Sequence, residues 1–95
     1  MDLNEHLKTL LTPTRDSEFK FVGQADDPGW GQVYGGLFLA QGVSAAAQTV
    51  EAEYRLHSLS AHFLQPGRVD APIRYAVSSL LLGRSFHIRN VIGSQ

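Results

Sequence analysis

The sequence has no cysteine in its 95 residues, which excludes disulfides and cysteine-based zinc sites. A reduced, cytoplasmic setting is the expected one. No run approaches the roughly 18 consecutive apolar residues of a membrane span, so none is expected. The opening MDLNEHLKTLL carries an acid before any basic cluster, unlike a signal peptide. Basic charge is not concentrated either. Eight Lys and Arg stand against nine Asp and Glu, for a formal net charge of -1, and Arg55, Arg68, Arg74, Arg84 and Arg89 are scattered. Nucleic acid is therefore not an expected partner, because phosphate backbones are bound by clustered cations.

What is present is an ordinary globular balance, with 43% apolar and 18% charged residues. The length suits one domain over residues 1–95. A domain this small buries only about 60–65% of its unfolded surface, so a homodimer or higher homo-oligomer is expected to cover more apolar area.

Leu3, Leu7, Leu10 and Leu11 recur at helical spacing behind possible caps Asp2 and Asn4, which predicts a short helix ended by Pro13. Residues 18–22 alternate polar and apolar, which predicts a strand closed by Gly23. Residues 26–31 are turn chemistry. From 35 to 50 the text GGLFLAQGVSAAAQTV places Leu39, Val43, Ala46 and Val50 at helical intervals and holds no charge, which predicts a helix buried on nearly all sides. Strands are predicted over 57–64, 73–82 and 85–92, the last two as a hairpin through Gly83-Arg84. One buried helix followed by antiparallel strands is an α+β pattern in which a sheet wraps the helix.

Four pieces then occur in succession: Gln32-Val33-Tyr34-Gly35-Gly36, His57-Ser58-Leu59, Phe63-Leu64-Gln65-Pro66-Gly67, and Gly83-Arg84-Ser85-Phe86 with residues 89–91. Their order and spacing resemble the N-terminal domain of the TesB-like acyl-CoA thioesterases, from about Phe21 to Gln95. The resemblance implies a hot-dog fold, an antiparallel sheet wrapped around a central helix. It implies fatty acyl-CoA as the substrate and no separate cofactor, CoA being part of that substrate. Family members fuse two hot-dog domains, and the best-supported catalytic set lies in the second, so none of it carries over. They also continue past the segment matching 85–95 with a strand that lies between it and 57–64. A gap in the sheet, a re-registered sheet or strand exchange between chains is the expectation here.

The resemblance makes His57 the candidate catalytic base, with a hydrogen-bonded structural histidine as the other reading. Gly35 and Gly36 precede the helix, where backbone N–H groups suit a thioester oxygen, although a tight entry into a helix also calls for glycine. Leu37 stands where the family often has glutamine, and it is placed in the substrate site with Gln41. Arg84 and Arg89 are candidates for the CoA phosphates, or else a solvated strand face. Asp26 and Asp27 either reach the pocket mouth or form a solvated turn. No metal site is expected, and His62 and His87 read as structural. Leu81-Leu82-Gly83 stands where the family has a charged hairpin tip, giving the apolar run Leu80-Leu81-Leu82, which calls for a subunit contact or else for aggregation.

The leading expectation is an acyl-CoA thioesterase-like domain that hydrolyses or binds fatty acyl-CoA, with a place in lipid metabolism. The alternative is a non-catalytic acyl-CoA or lipid-binding module, or an assembly module that pairs with another chain. A hot-dog hydratase ranks last, because no aspartate and histidine pair sits on a loop beside the helix.

Overall fold

The computed structural model describes residues 2–26, 29, 31–82 and 85–95, with Leu81 and Leu82 described by their backbone alone. The first helix, α1 (Leu3–Leu11), begins where the Asp2 carboxylate accepts a 2.8 Å hydrogen bond from the Glu5 N–H, and it ends at extended Thr12 before Pro13. A hairpin follows, made of β1 (Thr14–Ser17) and β2 (Lys20–Gly23). After the second helix, α2 (Gly35–Ala47), come β3 (Ile73–Leu82) and β4 (His87–Ser94). All pairings are antiparallel, in the order β1-β2-β3-β4.

Strand alternation decides which face is buried. Phe21 on β2 and Ile73, Tyr75 and Val77 on β3 point inward, while Arg74, Ala76 and Ser78 are exposed. Against that face α2 presents Leu37, Gln41 and Ala45, one row at intervals of four. Val33 completes the core, and Leu10, Phe38, Val69 and Val91 pack around it. Burying Phe21 and Ile73 contributes about 1.5–3 kcal/mol each.

Four expectations change. First, α2 ends at Ala47 rather than at 50, and residues 48–50 are a turn. The carbonyls just past its end are held by two arginines: Arg15 Nη2 donates to the Gln48 carbonyl at 2.5 Å, and Arg89 Nη2 to the Thr49 carbonyl at 3.2 Å. Second, α2 is not buried on nearly all sides. Only Leu37, Gln41 and Ala45 are fully enclosed, because the sheet covers one face and leaves flanking Leu39, Ala40 and Val43 half-buried.

Third, residues 57–64 form no strand. Their side chains are exposed and their backbone joins no ladder, since β4 pairs only with β3 among the described residues. Among the described residues β4 is therefore an edge of the sheet rather than one side of a gap between two strands. Fourth, the strand read over 18–22 is the second half of a hairpin whose first half, β1, carries no apolar residue. The closing hairpin is found with β4 starting at His87, and the Gly83-Arg84 connection lies outside the described residues. Of the apolar run at its tip, Leu80 is 66% exposed.

Candidate functional site

The start of α2 is built around a pair of glycines. Tyr34, extended in backbone, is the N-cap residue, and its carbonyl accepts from the Leu37 N–H at 2.9 Å. No side chain caps this end. First-turn N–H groups have no partner within a helix, and the helix dipole is positive there, so Gly35 and Gly36 present donors suited to an oxygen carrying negative charge. The two glycines are not equivalent. A Cβ on Gly36 would collide with the Tyr34 ring, which lies against it, whereas a Cβ on Gly35 would sit 3.5 Å from Phe63 in ordinary contact.

Two cavities flank the pair. One, of about 200 Å³, is lined by Leu10, Leu11, Asp26, Tyr34, Gly36 and Leu37. The other, of about 310 Å³, has Gln32, Gly35, Phe38, Phe63, Gln65 and Gly67 in its wall. Asp26 is the single charged group in the first lining, and the second mixes aromatic rings with amides. The second wall depends on close backbone approach. The Gly67 carbonyl accepts from the Val33 N–H at 3.1 Å, Gln32 bridges Arg68, and a Cβ on Gly67 would run into Phe38.

Gln41, expected at the substrate, is instead enclosed at 0% exposure and joined to three other parts of the chain. Its Nε2 donates to the Leu10 carbonyl at 2.8 Å and to the Gln24 carbonyl at 2.9 Å, and its Oε1 accepts from the Tyr75 hydroxyl at 2.6 Å. This amide fixes the end of α1 and the exit of β2 against α2, and thereby shapes the first cavity. Burial pushes the Tyr75 phenol well above its ordinary value of 10.0. Gly23 makes room for the amide, because a Cβ there would collide with Gln41 Oε1.

Of the other sequence-predicted residues, Gly35, Gly36, Leu37 and Asp26 come together. His57 does not join them: it is exposed, its ring packs at 5.6 Å against Phe86, and it lines neither cavity. Arg89 holds Thr49, with Nε on its hydroxyl at 2.9 Å and Nη1 on Ser79 at 3.1 Å, so its guanidinium braces the end of α2. Arg84 and Asp27 lie outside the described residues. His87 faces inward with Nε2 3.3 Å from Glu51 and its ring 4.0 Å from Tyr54. Among the described residues no cluster is suited to a metal ion, and no helix is long and apolar enough to cross a membrane. Sequence reading missed the contributions of Leu10, Leu11 and Tyr34 to the first cavity. Tyr34 was visible in the motif, but nothing local ties α1 to it.

Comparison with known proteins agrees with this fold. A family model described as the acyl-CoA thioesterase N-terminal domain matches residues 26–95. Acyl-CoA thioesterase 2 of Haemophilus influenzae is 40% identical over 85 residues, which is 90% of this chain and 30% of that protein. Acyl-coenzyme A thioesterase 8 of Homo sapiens is 33% identical over 60 residues, 63% of this chain and 19% of that protein. The solved structure of a tesB protein from Mycobacterium avium subs paratuberculosis superposes with a TM-score of 0.89 at 34% identity, covering 99% of this chain and 38% of that one. The chain therefore spans about a third or less of the length of the relatives it matches. With α2 laid on an antiparallel sheet, and with the family model matching from Asp26 to the last residue, the chain has a hot-dog fold and belongs to the acyl-CoA thioesterase N-terminal domain family.

Proposed function

We propose that this chain is an acyl-CoA thioesterase-like domain that binds fatty acyl-CoA thioesters at the start of α2. The observation that carries the reading is the position of Gly35 and Gly36 between two cavities of different chemistry. A thioester carbonyl seated on their N–H groups has its acyl side and its pantetheine side in separate places. Pantetheine carries two amides on a flexible chain, and Gln32 and Gln65 beside Phe38 and Phe63 offer matching hydrogen bonds and apolar contact. No cofactor beyond the CoA of the substrate is needed. The cysteine-free composition supports a cytoplasmic location.

Hydrolysis requires water to add to the carbonyl carbon, an oxyanion to be held, and the C–S bond to break with the thiolate leaving. The glycine N–H groups suit the oxyanion. Asp26 is the acid in the cavity lining and the group suited to accept the proton of the attacking water, and it is exposed, unlike a buried catalytic carboxylate. Turnover by this chain alone is therefore slow, and binding is its main activity. Continuous detection of free CoA from acyl-CoA substrates tests the catalytic part. Release that Asp26→Asn lowers at least tenfold supports it, and release no faster than buffer with the fold intact ends it.

A second reading, an assembly module, is favoured by one observation. Leu56, Leu59, Phe63 and Leu64 are exposed beside a sheet whose β4 edge is open among the described residues, and Leu80 and Ile92 are exposed on the sheet's other face. Such surface suits a homo-oligomer, with or without strand exchange. Mass measurement in solution at several concentrations tests it, and a strict monomer rejects it.

A further inference from the structure

We infer that the cavity between the end of α1 and the start of α2 is the acyl pocket, and that it limits the bound chain to about six to eight carbons. The inference rests on the thioester reading above and adds which side takes the acyl chain and how long that chain is.

Polarity assigns the side. The pocket wall is Leu10, Leu11, Leu37 and the Tyr34 ring, with the Asp26 carboxylate as its one charge. An acyl chain brings no hydrogen-bonding group, so it gains most where the wall asks for fewest. The second cavity has Val33, Phe38, Phe63, Leu64 and Pro66 in its wall as well, but its Gln32 and Gln65 would leave two amides facing methylenes. Placing the acyl chain under α1 satisfies both walls.

Volume sets the length. An enclosed aliphatic cavity of about 150 Å³ holds a benzene ring of six carbons, so this pocket of about 200 Å³, open on its outer side, seats roughly six to eight before the chain reaches solvent. The floor cannot recede easily, because the Leu10 carbonyl is fixed by Gln41 Nε2 at 2.8 Å and Leu37 belongs to the core. Tyr34, 64% exposed, lines the pocket from the solvent side and lies across Gly36. Leu11, at 39% exposure, reaches the same pocket from the outer side, so it is the position at which the pocket can be filled without disturbing the core.

The test uses the whole chain and a series of carba analogues of acyl-CoA from two to sixteen carbons, in which a methylene replaces the sulfur and the carbonyl is kept. Calorimetric affinity should tighten about fourfold per methylene that enters the pocket and stop tightening at about six to eight carbons. Leu11→Trp should move that break two or more carbons shorter, weaken the eight-carbon analogue at least tenfold, and leave the two-carbon analogue within twofold. Circular dichroism of the variant checks that it folds, and Leu11→Met serves as the mild replacement that leaves the break in place. Affinity that is flat with length, that keeps rising to sixteen carbons, or that Leu11→Trp lowers equally at every length overturns the pocket assignment while leaving thioester binding intact. No binding of any analogue overturns the thioester reading and this inference together.

Discussion

The phenolic oxygen of Tyr75 stands 2.6 Å from Gln41 Oε1, and both residues are buried, Tyr75 at 3% and Gln41 at 0% exposure. Through this contact β3 holds α2, and through the other end of the same amide α2 holds the end of α1 and the exit of β2. A polar hub inside a small core is stabilising only while every partner is present.

Gln41→Leu keeps the volume and removes the partners of the Leu10 and Gln24 carbonyls and the Tyr75 hydroxyl. Each such group left unpaired costs about 1–3 kcal/mol, so a loss of about 3 kcal/mol or more is expected in urea unfolding. Tyr75→Phe, which removes one bond, should lose about 1–2 kcal/mol. Equal stability of Gln41→Leu and the parent would show that the hub carries no weight.

Gly23→Ala forces a methyl group onto Gln41 Oε1 and should be destabilising in the parent. In a Gln41→Ala background the same methyl finds space. The two changes together should therefore cost less than their sum, as read by a double-mutant cycle in urea.

Alkaline pH should expose the Tyr75 environment. The folded protein holds the phenol's proton more tightly than the unfolded chain does, so this contribution is complete below pH 10.0 and falls away as pH rises above it. The expected slope is about 1.4 kcal/mol per pH unit from this one group. Tyr75→Phe should flatten the fall, measured as unfolding free energy between pH 9 and pH 11, a range of about two units chosen around the phenol's ordinary value.

Arg89 separates a structural role from a ligand-binding one. Its bonds to the Thr49 carbonyl and hydroxyl brace the end of α2, where a cation also meets the negative end of the dipole. Arg89→Ala should lower stability by about 1–2 kcal/mol and leave the affinity for acyl-CoA analogues within twofold. A large loss of affinity with unchanged stability would return Arg89 to the CoA phosphates.

The sequence made some of this legible for identifiable reasons. The Asp2 cap and leucine spacing mark α1, the alternation of 73–82 marks β3, and the small residues from Gly35 mark the start of α2. What stayed hidden depends on distant partners. Thr14-Arg15-Asp16-Ser17 has no apolar periodicity, so β1 is recognisable only once β2 lies beside it. Residues 57–64 have the alternation of a strand, and among the described residues no strand lies paired with them. An uncharged α2 reads as fully enclosed, yet alanines and glycines tolerate half-burial. The glycine pair was visible as a motif, whereas the pocket beside it joins Leu10 to Leu37 across a long stretch of chain, and the polar text of Gln41 does not reveal that its amide points at three backbone and side-chain partners instead of a ligand.

The seat of the thioester carbonyl is open to direct observation by amide NMR of the ¹⁵N-labelled chain, titrated with the carba analogue of octanoyl-CoA. The N–H resonances of Gly35 and Gly36 should move furthest and downfield, in step with saturation, as they acquire an oxygen acceptor. Saturable binding that leaves both resonances in place while others shift would contradict the account.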